Sequence, residues 1–277
     1  MLNIRKLIEY AILEDSFYGD LTTEILEIKG NGKFIAISKE NLILCGIDIF
    51  KEVFKYVNPS IEVELFFKDG DFVKKGEIIA EVKGNIKDIL RCERIALNFL
   101  QKLSGISTNT YNFVKAIEGT NCKILDTRKT TPIYRNLEKY AVRIGGGYNH
   151  RFSLFDGILI KDNHIRAVGG VENAIKLALK NKPFGKEIEI EVSNLSELEI
   201  VLKYPIDIVM LDNFSLEMIK QAMNLVNGKL KIEVSGGVNL NNVRDIALLG
   251  VDYISVGAIT HSSKWVDISL EFFTQQF

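Results

Sequence analysis

The sequence predicts an α/β protein with a mixed first part and a longer second part in which strands and helices alternate. The chain has 277 residues and is 47% hydrophobic, enough for one large domain and a smaller one. Helical patterns separate most of the apolar strand signals of the second part, so parallel strands with right-handed crossovers are expected, in a barrel or in a doubly wound sheet. These strand signals are residues 123–125, 157–160, 187–192, 207–211, 231–234 and 253–256.

The first part is predicted to mix short strands with helices. Residues 1–16 space Ile4, Ile8 and Ile12 at helical intervals, and residues 19–23 follow as a turn with a predicted N-cap. A long amphipathic helix is predicted from Asp88 to Gly105, where it should link the two domains. The remaining predicted elements are strands at 33–37, 42–44 and 61–67 and a helix at 49–57.

The charge and the cysteine content exclude several classes of protein. A formal net charge of −1 provides no global basic field for nucleic acid, so any anion site must be local. Cys45, Cys92 and Cys122 are far apart, odd in number and outside any C-x-x-C pattern, which disfavours a disulfide framework and a zinc site. No apolar run approaches the ~20 residues of a membrane span, and the charged N-terminal segment does not resemble a signal peptide. A cytoplasmic protein is expected.

The segment 187–192 favours a barrel over a doubly wound sheet. It alternates strictly, which places Glu187, Glu189 and Glu191 on one face of the strand. Helices cover both faces of a doubly wound sheet, so an acidic face would be costly there, whereas the C-terminal mouth of a barrel is polar. The residues at or just past the predicted strand ends are also those that barrel enzymes use for chemistry. They are Arg128, Lys161, Glu191, Asp212, Ser235 and Gly257.

Cations recur between Asp126 and Arg166, each at the end of a strand or tight turn, and they predict an anion site. Arginine would bind carboxylates in fork geometry while lysine supplies a point charge. The site could hold a substrate with several carboxylates or a phosphate-rich one, and Asp126 could orient the cations. The cations are Arg128, Lys129, His150, Arg151 and Lys161.

Acidic and glycine-rich strand ends predict a second half of the same site. Glu191 and Asp212 end neighbouring strands and could hold Mg²⁺, mostly through waters. The turn Ser235-Gly236-Gly237 and the strand end at Gly257 resemble barrel phosphate sites, where backbone N–H groups approach the oxygens. The roles of His164 and His261 are left open.

Several motifs resemble those of quinolinate phosphoribosyltransferases over nearly the whole chain. The most specific are Asp126-Thr127-Arg128-Lys129-Thr130-Thr131-Pro132, Asn149-His150-Arg151 and Lys161-Asp162-Asn163-His164. The resemblance implies an N-terminal α/β sandwich, completed by the C-terminal tail, beside an incomplete α/β (TIM-like) barrel. The implied domains are 1–105, with the tail 265–277 packing on it, and 106–264.

The resemblance also implies the chemistry and the role of each site residue. Phosphoribosyl pyrophosphate would react with quinolinate and Mg²⁺ to give nicotinate mononucleotide, pyrophosphate and CO₂, with no organic cofactor. Lys129 would lie between the two substrates, while Glu191 and Asp212 would face the ribose and its Mg²⁺. Ser235, Gly236, Gly237 and Gly257 would surround the 5′-phosphate. Arg128, His150, Arg151 and Lys161 would line the quinolinate pocket, and Arg94 would enter it from the other subunit of a homodimer.

The chain departs from the family pattern after Pro132, where Ile133-Tyr134 replaces the usual Gly-Leu before Arg135. A β-branched residue disfavours a positive φ, so the turn is expected to differ or to need none. Two alternative functions remain open: a related phosphoribosyltransferase of molybdate-transport operons with a different acceptor, and a barrel aldolase. The aldolase would use Lys129 or Lys161 as a Schiff base in a desolvated pocket. A non-catalytic binding protein would leave the combination of acids and cations unexplained.

Overall fold

The structure, a computed structural model, describes residues 4–273, and its contacts divide the chain into two units. The first unit runs to Tyr111 and includes Thr131–Gly146 and the segment from Ser263; the second consists of Asn112–Thr130 and Gly147–Ser262. The division at 105/106 remains a prediction, and residues 274–277 of the predicted tail lie outside the described residues. No helix within residues 4–273 is long and apolar enough to cross a bilayer.

The elements alternate between helix and strand more regularly after residue 120 than before it. The helices are α1 (Ile4–Ser16), α2 (Leu21–Ile25), α3 (Ile47–Val57), α4 (Ile86–Ala116), α5 (Arg135–Ile144), α6 (Asp162–Ala167), α7 (Val171–Asn181), α8 (Leu195–Val201), α9 (Leu216–Val226), α10 (Val243–Leu248) and α11 (Ala258–His261). The strands are β1 (Asn31–Ser38), β2 (Leu42–Ile43), β3 (Glu62–Leu65), β4 (Phe72–Val73), β5 (Ile78–Asn85), β6 (Lys123–Leu125), β7 (Ile158–Ile160), β8 (Ile188–Val192), β9 (Ile208–Asp212), β10 (Lys231–Ser235), β11 (Tyr253–Ser255) and β12 (Ile268–Phe272).

The first unit is built on an antiparallel sheet in the order β12-β1-β5-β3. Strand β1 is central because it pairs with β5 on one side and with the chain's last described strand on the other. Phe34 stands opposite Phe272 in that second pairing, and the two rings meet edge to face with centroids 5.1 Å apart. Phe50 and Phe54 of α3 are fully buried in the core of this unit. The N-cap predicted within residues 19–23 is Asp20, which accepts the N–H of Thr23 at the start of the short helix α2.

The predicted end of the long helix at Gly105 is wrong, because α4 continues to Ala116. A side chain on Gly105 would overlap the backbone carbonyl oxygen of Lys264, so this glycine permits a close backbone approach and does not stop the helix. The glycine therefore has a packing role, which composition alone does not distinguish from a helix stop.

The turn after Pro132 keeps the left-handed conformation that the sequence was expected to avoid. Ile133 has φ +70° and is 69% exposed, so its branched side chain extends into solvent despite the unfavourable backbone. Its neighbour Tyr134 stacks on Phe99 with centroids 5.7 Å apart, and the backbone N–H of Tyr134 donates to Thr131. We conclude that packing of the tyrosine holds a strained isoleucine in place.

The second unit contains a six-stranded parallel sheet in the order β6-β11-β10-β9-β8-β7. The first strand in sequence, β6, pairs with the last, β11, as in a barrel, whereas β6 and β7 form the two ends of the sheet. This order describes an incomplete barrel, which resolves the choice between a barrel and a doubly wound sheet. The predicted fold class, an N-terminal α/β sandwich domain and an incomplete TIM-like barrel, is confirmed, and the sheets of the two parts are antiparallel and parallel respectively.

Candidate active site

A cavity of about 280 Å³ lies at the C-terminal ends of the parallel strands, within the second unit. It joins predicted site residues from four separate segments of the chain. Parallel strands end at the same edge, so residues at their C-terminal ends converge there. The lining residues are Thr127, Arg128, Lys129, His150, Arg151, Leu159, Lys161, Met210, Glu233, Ser235 and Ser255.

The cationic and acidic halves of the predicted site meet at one ion pair. Lys161 follows β7 and its Nζ lies 2.6 Å from Oε2 of Glu191, which is on the neighbouring strand β8. Glu191 is buried, while the Lys161 side chain is 45% exposed at the mouth. The ammonium group therefore compensates the buried carboxylate and still faces the cavity.

Asp126 anchors the loop that carries two of the predicted cations. It is fully buried, and it accepts the side-chain amide of Asn149 at 2.5 Å and the backbone N–H of His150 at 2.9 Å. Its own N–H donates to the carbonyl of Tyr148, next to the bridge that Tyr148 makes with β6. Asp126 thus orients the cation-bearing loop, as the sequence suggested.

His150 directs both ring nitrogens towards protein groups. Nε2 lies 3.0 Å from Glu189 and 3.4 Å from Glu233, and Nδ1 accepts the backbone N–H of Arg151 at 2.7 Å. Burial lowers the pKa of His150, whereas hydrogen bonds to the two carboxylates and their charge raise it. These carboxylates hold the proton on Nε2, and a charged ring would need a further proton on Nδ1. A second ring proton, on Nδ1, would oppose the Arg151 N–H, so the hydrogen-bond geometry corresponds to a neutral ring with its proton on Nε2.

The carboxylates around His150 are themselves removed from water. Burial raises the pKa of Glu189 to about 7, while the hydrogen bond from His150 acts in the opposite direction. Nε2 and one oxygen from each carboxylate lie within 4.8 Å of one another, a spacing that a metal ion could occupy. Because Nδ1 accepts a hydrogen bond, a neutral ring must carry its proton on Nε2, and that nitrogen is then unavailable to a metal.

Asp212, Ser235 and Gly236 are brought together where β9 and β10 end. Asp212 is opposite Ser235 in the strand pairing, and the amide of Asn213 donates to the Asp212 carboxylate at 2.8 Å. Gly236 has φ +87°, and a side chain there would overlap the Asn213 amide, so the turn requires glycine. Gly237 follows, also with positive φ.

Lys129 lies against the strand end at Gly257. A Cβ atom on Gly257 would lie 3.1 Å from Cδ of Lys129 and 3.2 Å from the ring of His261, so glycine leaves room for both side chains. The hydroxyl of Thr260 donates to the backbone carbonyl of Lys129 at 2.8 Å. These contacts fix the backbone of Lys129 while its side chain stays exposed.

Two histidines and Arg94 lie outside this cavity. His164 accepts the backbone N–H of Lys161 through Nδ1 at 2.9 Å and so caps α6, a structural role. His261 pairs with the hydroxyl of Ser262 at 2.6 Å. Arg94 is exposed on α4 in the first unit, where it lines a separate cavity of about 420 Å³ together with Ile133.

Some lining residues were not predicted, and most of them lie two positions before a predicted one. Side chains alternate along a strand, so Leu159, Met210 and Glu233 share the inward face with Lys161, Asp212 and Ser235 respectively. Extending the strand-end rule one step down each strand would have found them. Thr127 and Ser255 line the cavity as well.

Family models and known structures match nearly the whole chain. The model "Quinolinate phosphoribosyl transferase, N-terminal domain" matches residues 20–104, and the corresponding C-terminal domain model matches residues 106–271. The sequence is 41% identical over 270 residues to a probable carboxylating nicotinate-nucleotide pyrophosphorylase of Bacillus subtilis (strain 168), covering 98% of this chain and 93% of that one. It is 44% identical over 276 residues to a probable enzyme of the same name in Methanocaldococcus jannaschii, covering 96% of each.

A solved structure agrees with the fold. The nicotinate-nucleotide pyrophosphorylase of Ehrlichia chaffeensis superimposes with a TM-score of 0.94 at 43% identity, covering 98% of this chain and 99% of that one. The order of the motifs, the two sheets and the converging strand ends agree with these matches. The chain belongs to the quinolinate phosphoribosyl transferase family.

Proposed function

We propose that this chain transfers the phosphoribosyl group of phosphoribosyl pyrophosphate to quinolinate and releases CO₂, giving nicotinate mononucleotide and pyrophosphate. The observation that carries the proposal is one cavity of about 280 Å³ lined by Arg128, Lys129, Arg151 and Lys161, in a chain of this family. Four cations around a small cavity suit an acceptor with two carboxylates, because each carboxylate can meet a guanidinium or an ammonium group.

The first half of the proposed reaction is a substitution at the anomeric carbon. The carbon–oxygen bond to pyrophosphate breaks, pyrophosphate keeps the electron pair, and the quinolinate nitrogen donates its lone pair to form the new carbon–nitrogen bond. Lys129 lies beside Gly257, on the side of the cavity proposed for the phosphate, and would neutralise charge between the two substrates. Positioning and fixed charge carry such a step.

The second half is loss of the carboxylate next to the ring nitrogen. The carbon–carbon bond breaks, CO₂ leaves, and the electron pair remains on the ring carbon until that carbon takes up a proton. The positive ring nitrogen stabilises this pair. Arg128, Arg151 and Lys161 would hold the two carboxylates so that the ring cannot turn.

The donor set at Glu191 and Asp212 fits Mg²⁺. Both residues offer carboxylate oxygens, which a hard cation prefers, and Asp212 is partly open to solvent at the mouth. Bound Mg²⁺ would neutralise charge on the pyrophosphate leaving group. Asp212 is kept in place by the Asn213 amide, and Glu191 by Lys161.

One assay tests the proposed function. The protein is incubated with phosphoribosyl pyrophosphate, Mg²⁺ and quinolinate labelled in its 2-carboxylate, and nicotinate mononucleotide and labelled CO₂ are measured. Both products are expected in equal amounts. Turnover of nicotinate without turnover of quinolinate would refute the proposal.

The Schiff-base aldolase is disfavoured by the surroundings of its lysines. Lys161 is ion-paired with Glu191 and partly exposed, and Lys129 is exposed. Neither side chain occupies the desolvated pocket that Schiff-base chemistry by a lysine requires.

We also propose a homodimer in which Arg94 of one copy completes the site of the other, and a cytoplasmic location. Arg94 is exposed, which leaves it available to a second copy, and the three buried free thiols suit a reducing compartment. Mixing Arg94→Ala subunits with Lys161→Ala subunits should restore activity, because some mixed dimers contain one intact site. Two inactive variants that stay inactive when mixed would contradict the shared site, and cell fractionation tests the location.

A further inference from the structure

Two buried acids, Glu233 in the lining of the cationic cavity and Glu189 beside the same histidine ring, have no role in the proposed reaction. Oε2 of Glu189 and Oε2 of Glu233 face Nε2 of His150 at 3.0 and 3.4 Å. Their side chains are only 8% and 2% exposed, and the second oxygen of each, Oε1, has no hydrogen-bond partner in the described part of the chain. Placing two carboxylates here is costly, because each loses its hydration.

The hydrogen bonds of His150 show that the two acids accept the proton on its Nε2. Arg151 donates its backbone N–H to Nδ1, so the proton of the neutral ring is on Nε2, where the two carboxylates accept it. Strand β8 supplies Glu189 and strand β10 supplies Glu233, so rigid elements hold the ring from two sides. Neither nitrogen is left to face a substrate.

The ring of His150 also holds Arg151, through the backbone N–H of that residue. Residues 145–157 contain neither a helix nor a regular strand, so side-chain hydrogen bonds hold this loop in place. Asp126 holds its start, the ring of His150 holds the backbone N–H of Arg151, and the guanidinium donates to the carbonyl of Gly157 at 3.1 Å. The position of Arg151 therefore depends on the orientation of a ring that two acids hold.

We propose that Glu189 and Glu233 are positioning residues that fix the Nε2–H tautomer of His150 and, through it, the place of Arg151 in the acceptor pocket. This inference rests on the proposed function for the identity of the acceptor. It changes the role of His150: both ring nitrogens are engaged by protein groups, so the ring lines the pocket while Arg128, Arg151 and Lys161 supply the positive charge.

Nitrogen NMR of the protein labelled with ¹⁵N-histidine tests the tautomer without any substrate. The chain has three histidines, and the resonances of His150 are identified by their loss in His150→Gln. We expect an unprotonated Nδ1 and a protonated Nε2 near neutral pH. A proton on Nδ1, or a stoichiometric metal ion at this ring in the purified protein, would overturn the proposal.

Paired double variants test the positioning role. In Glu189→Gln/Glu233→Gln, amide oxygens can still accept from Nε2, whereas Glu189→Leu/Glu233→Leu leaves that N–H without an acceptor. We expect the leucine pair to raise the KM for quinolinate about tenfold or more, with a small change in the KM for phosphoribosyl pyrophosphate and with altered His150 resonances. The glutamine pair should restore most of the quinolinate affinity.

A matched control comes from the same sheet. Glu187 precedes β8, is exposed and pairs with Lys231 at the surface, so Glu187→Gln should leave both KM values and the His150 resonances unchanged. An unchanged quinolinate KM in a folded leucine pair would overturn the proposal. If the leucine pair does not fold, the tautomer of His150 in the wild type and the quinolinate KM of the glutamine pair still test the proposal. If the wild type is inactive towards quinolinate, the proposed function is refuted. The NMR result on the tautomer of His150 still holds, because it is measured without substrate.

Discussion

The mouth of the incomplete barrel and the layer just below it differ in charge and in the way they are held. The mouth presents Lys129 and Lys161 to solvent, whereas Glu189 and Glu233 below are almost fully buried. One inward-facing step along a strand separates Ser235 from Glu233 and Glu191 from Glu189. The comparison shows that a binding surface open to water can depend on a buried layer of opposite charge, whose members hold the loop that supplies the binding groups.

Removing a charge from the mouth should have the largest effect. Lys161→Ala deletes the ammonium group from the cavity and leaves the buried carboxylate of Glu191 without its counter-ion. A charged hydrogen bond between the ammonium group and a quinolinate carboxylate is lost as well, and at about 2 kcal/mol or more its loss should lower kcat/KM for quinolinate by about 30-fold or more. Steady-state kinetics at varied quinolinate measure this.

Lys176→Ala is the matched control for that change. Lys176 makes an exposed i,i+4 pair with Glu172 on α7, and such surface pairs contribute little to stability. Its kcat/KM should equal that of the wild type. A Lys161→Ala protein that keeps its quinolinate affinity would remove that lysine from the pocket.

A change in the buried layer should affect stability as well as activity. In Asp126→Asn one oxygen can still accept the N–H of His150, but the new amide would oppose the amide of Asn149. We expect the free energy of unfolding to fall by about 2 kcal/mol, since a buried charged hydrogen bond is replaced by two facing donors. Urea unfolding followed by circular dichroism measures it, and an unchanged midpoint would show that the loop is held in another way.

A substitution at Ile133, outside both the mouth and the buried layer, should change the free energy of unfolding by a smaller amount. Ile133→Gly should relieve the strain of a positive φ, about 1–3 kcal/mol, against the entropy that glycine adds to the unfolded chain. The free energy of unfolding should rise by about 1 kcal/mol, measured by the same urea titration. Lower stability would mean that the turn does not hold the φ of +70° that the structure describes.

The three buried cysteines should show almost no reactivity in the folded protein, which is the smallest effect expected here. Burial raises the pKa of the Cys92 and Cys122 thiols to about 12, and that of Cys45 rises too. At pH 8 the thiols stay protonated, so the folded protein should not react with a thiol-specific disulfide reagent over minutes, and three thiols should react in denaturant. Rapid reaction of the folded protein would contradict this burial.

The sequence predicted the mouth of the site better than the layer beneath it, for a physical reason. Strand ends are marked by polar residues after apolar runs, which is how Lys161, Asp212 and Ser235 were found. Glu233 lies inside an apolar run, and only the convergence of β10 with the loop at His150 shows that it has a partner. Pairings of this kind depend on the fold and leave no local pattern.

The fold, like the site, was predictable from the sequence where local patterns mark it and not where it depends on long-range contacts. The six parallel strands were found from apolar segments, but the sequence left barrel closure open because pairing of β6 with β11 is a long-range contact. The long helix continues beyond the predicted end at Gly105, since a glycine needed for close packing looks the same in sequence as a glycine at a helix end. At Ile133 the local rule against positive φ failed because stacking of Tyr134 on Phe99 holds the turn.

The central claim is that the mouth of the second unit recognises two carboxylates on one ring. Isothermal titration calorimetry of the wild-type protein with quinolinate and with nicotinate, at one ionic strength, tests it most directly. We predict that quinolinate binds at least about tenfold more tightly, because the second carboxylate gains a charged hydrogen bond of about 1.5–3 kcal/mol. Equal affinity for the two ligands would contradict the claim.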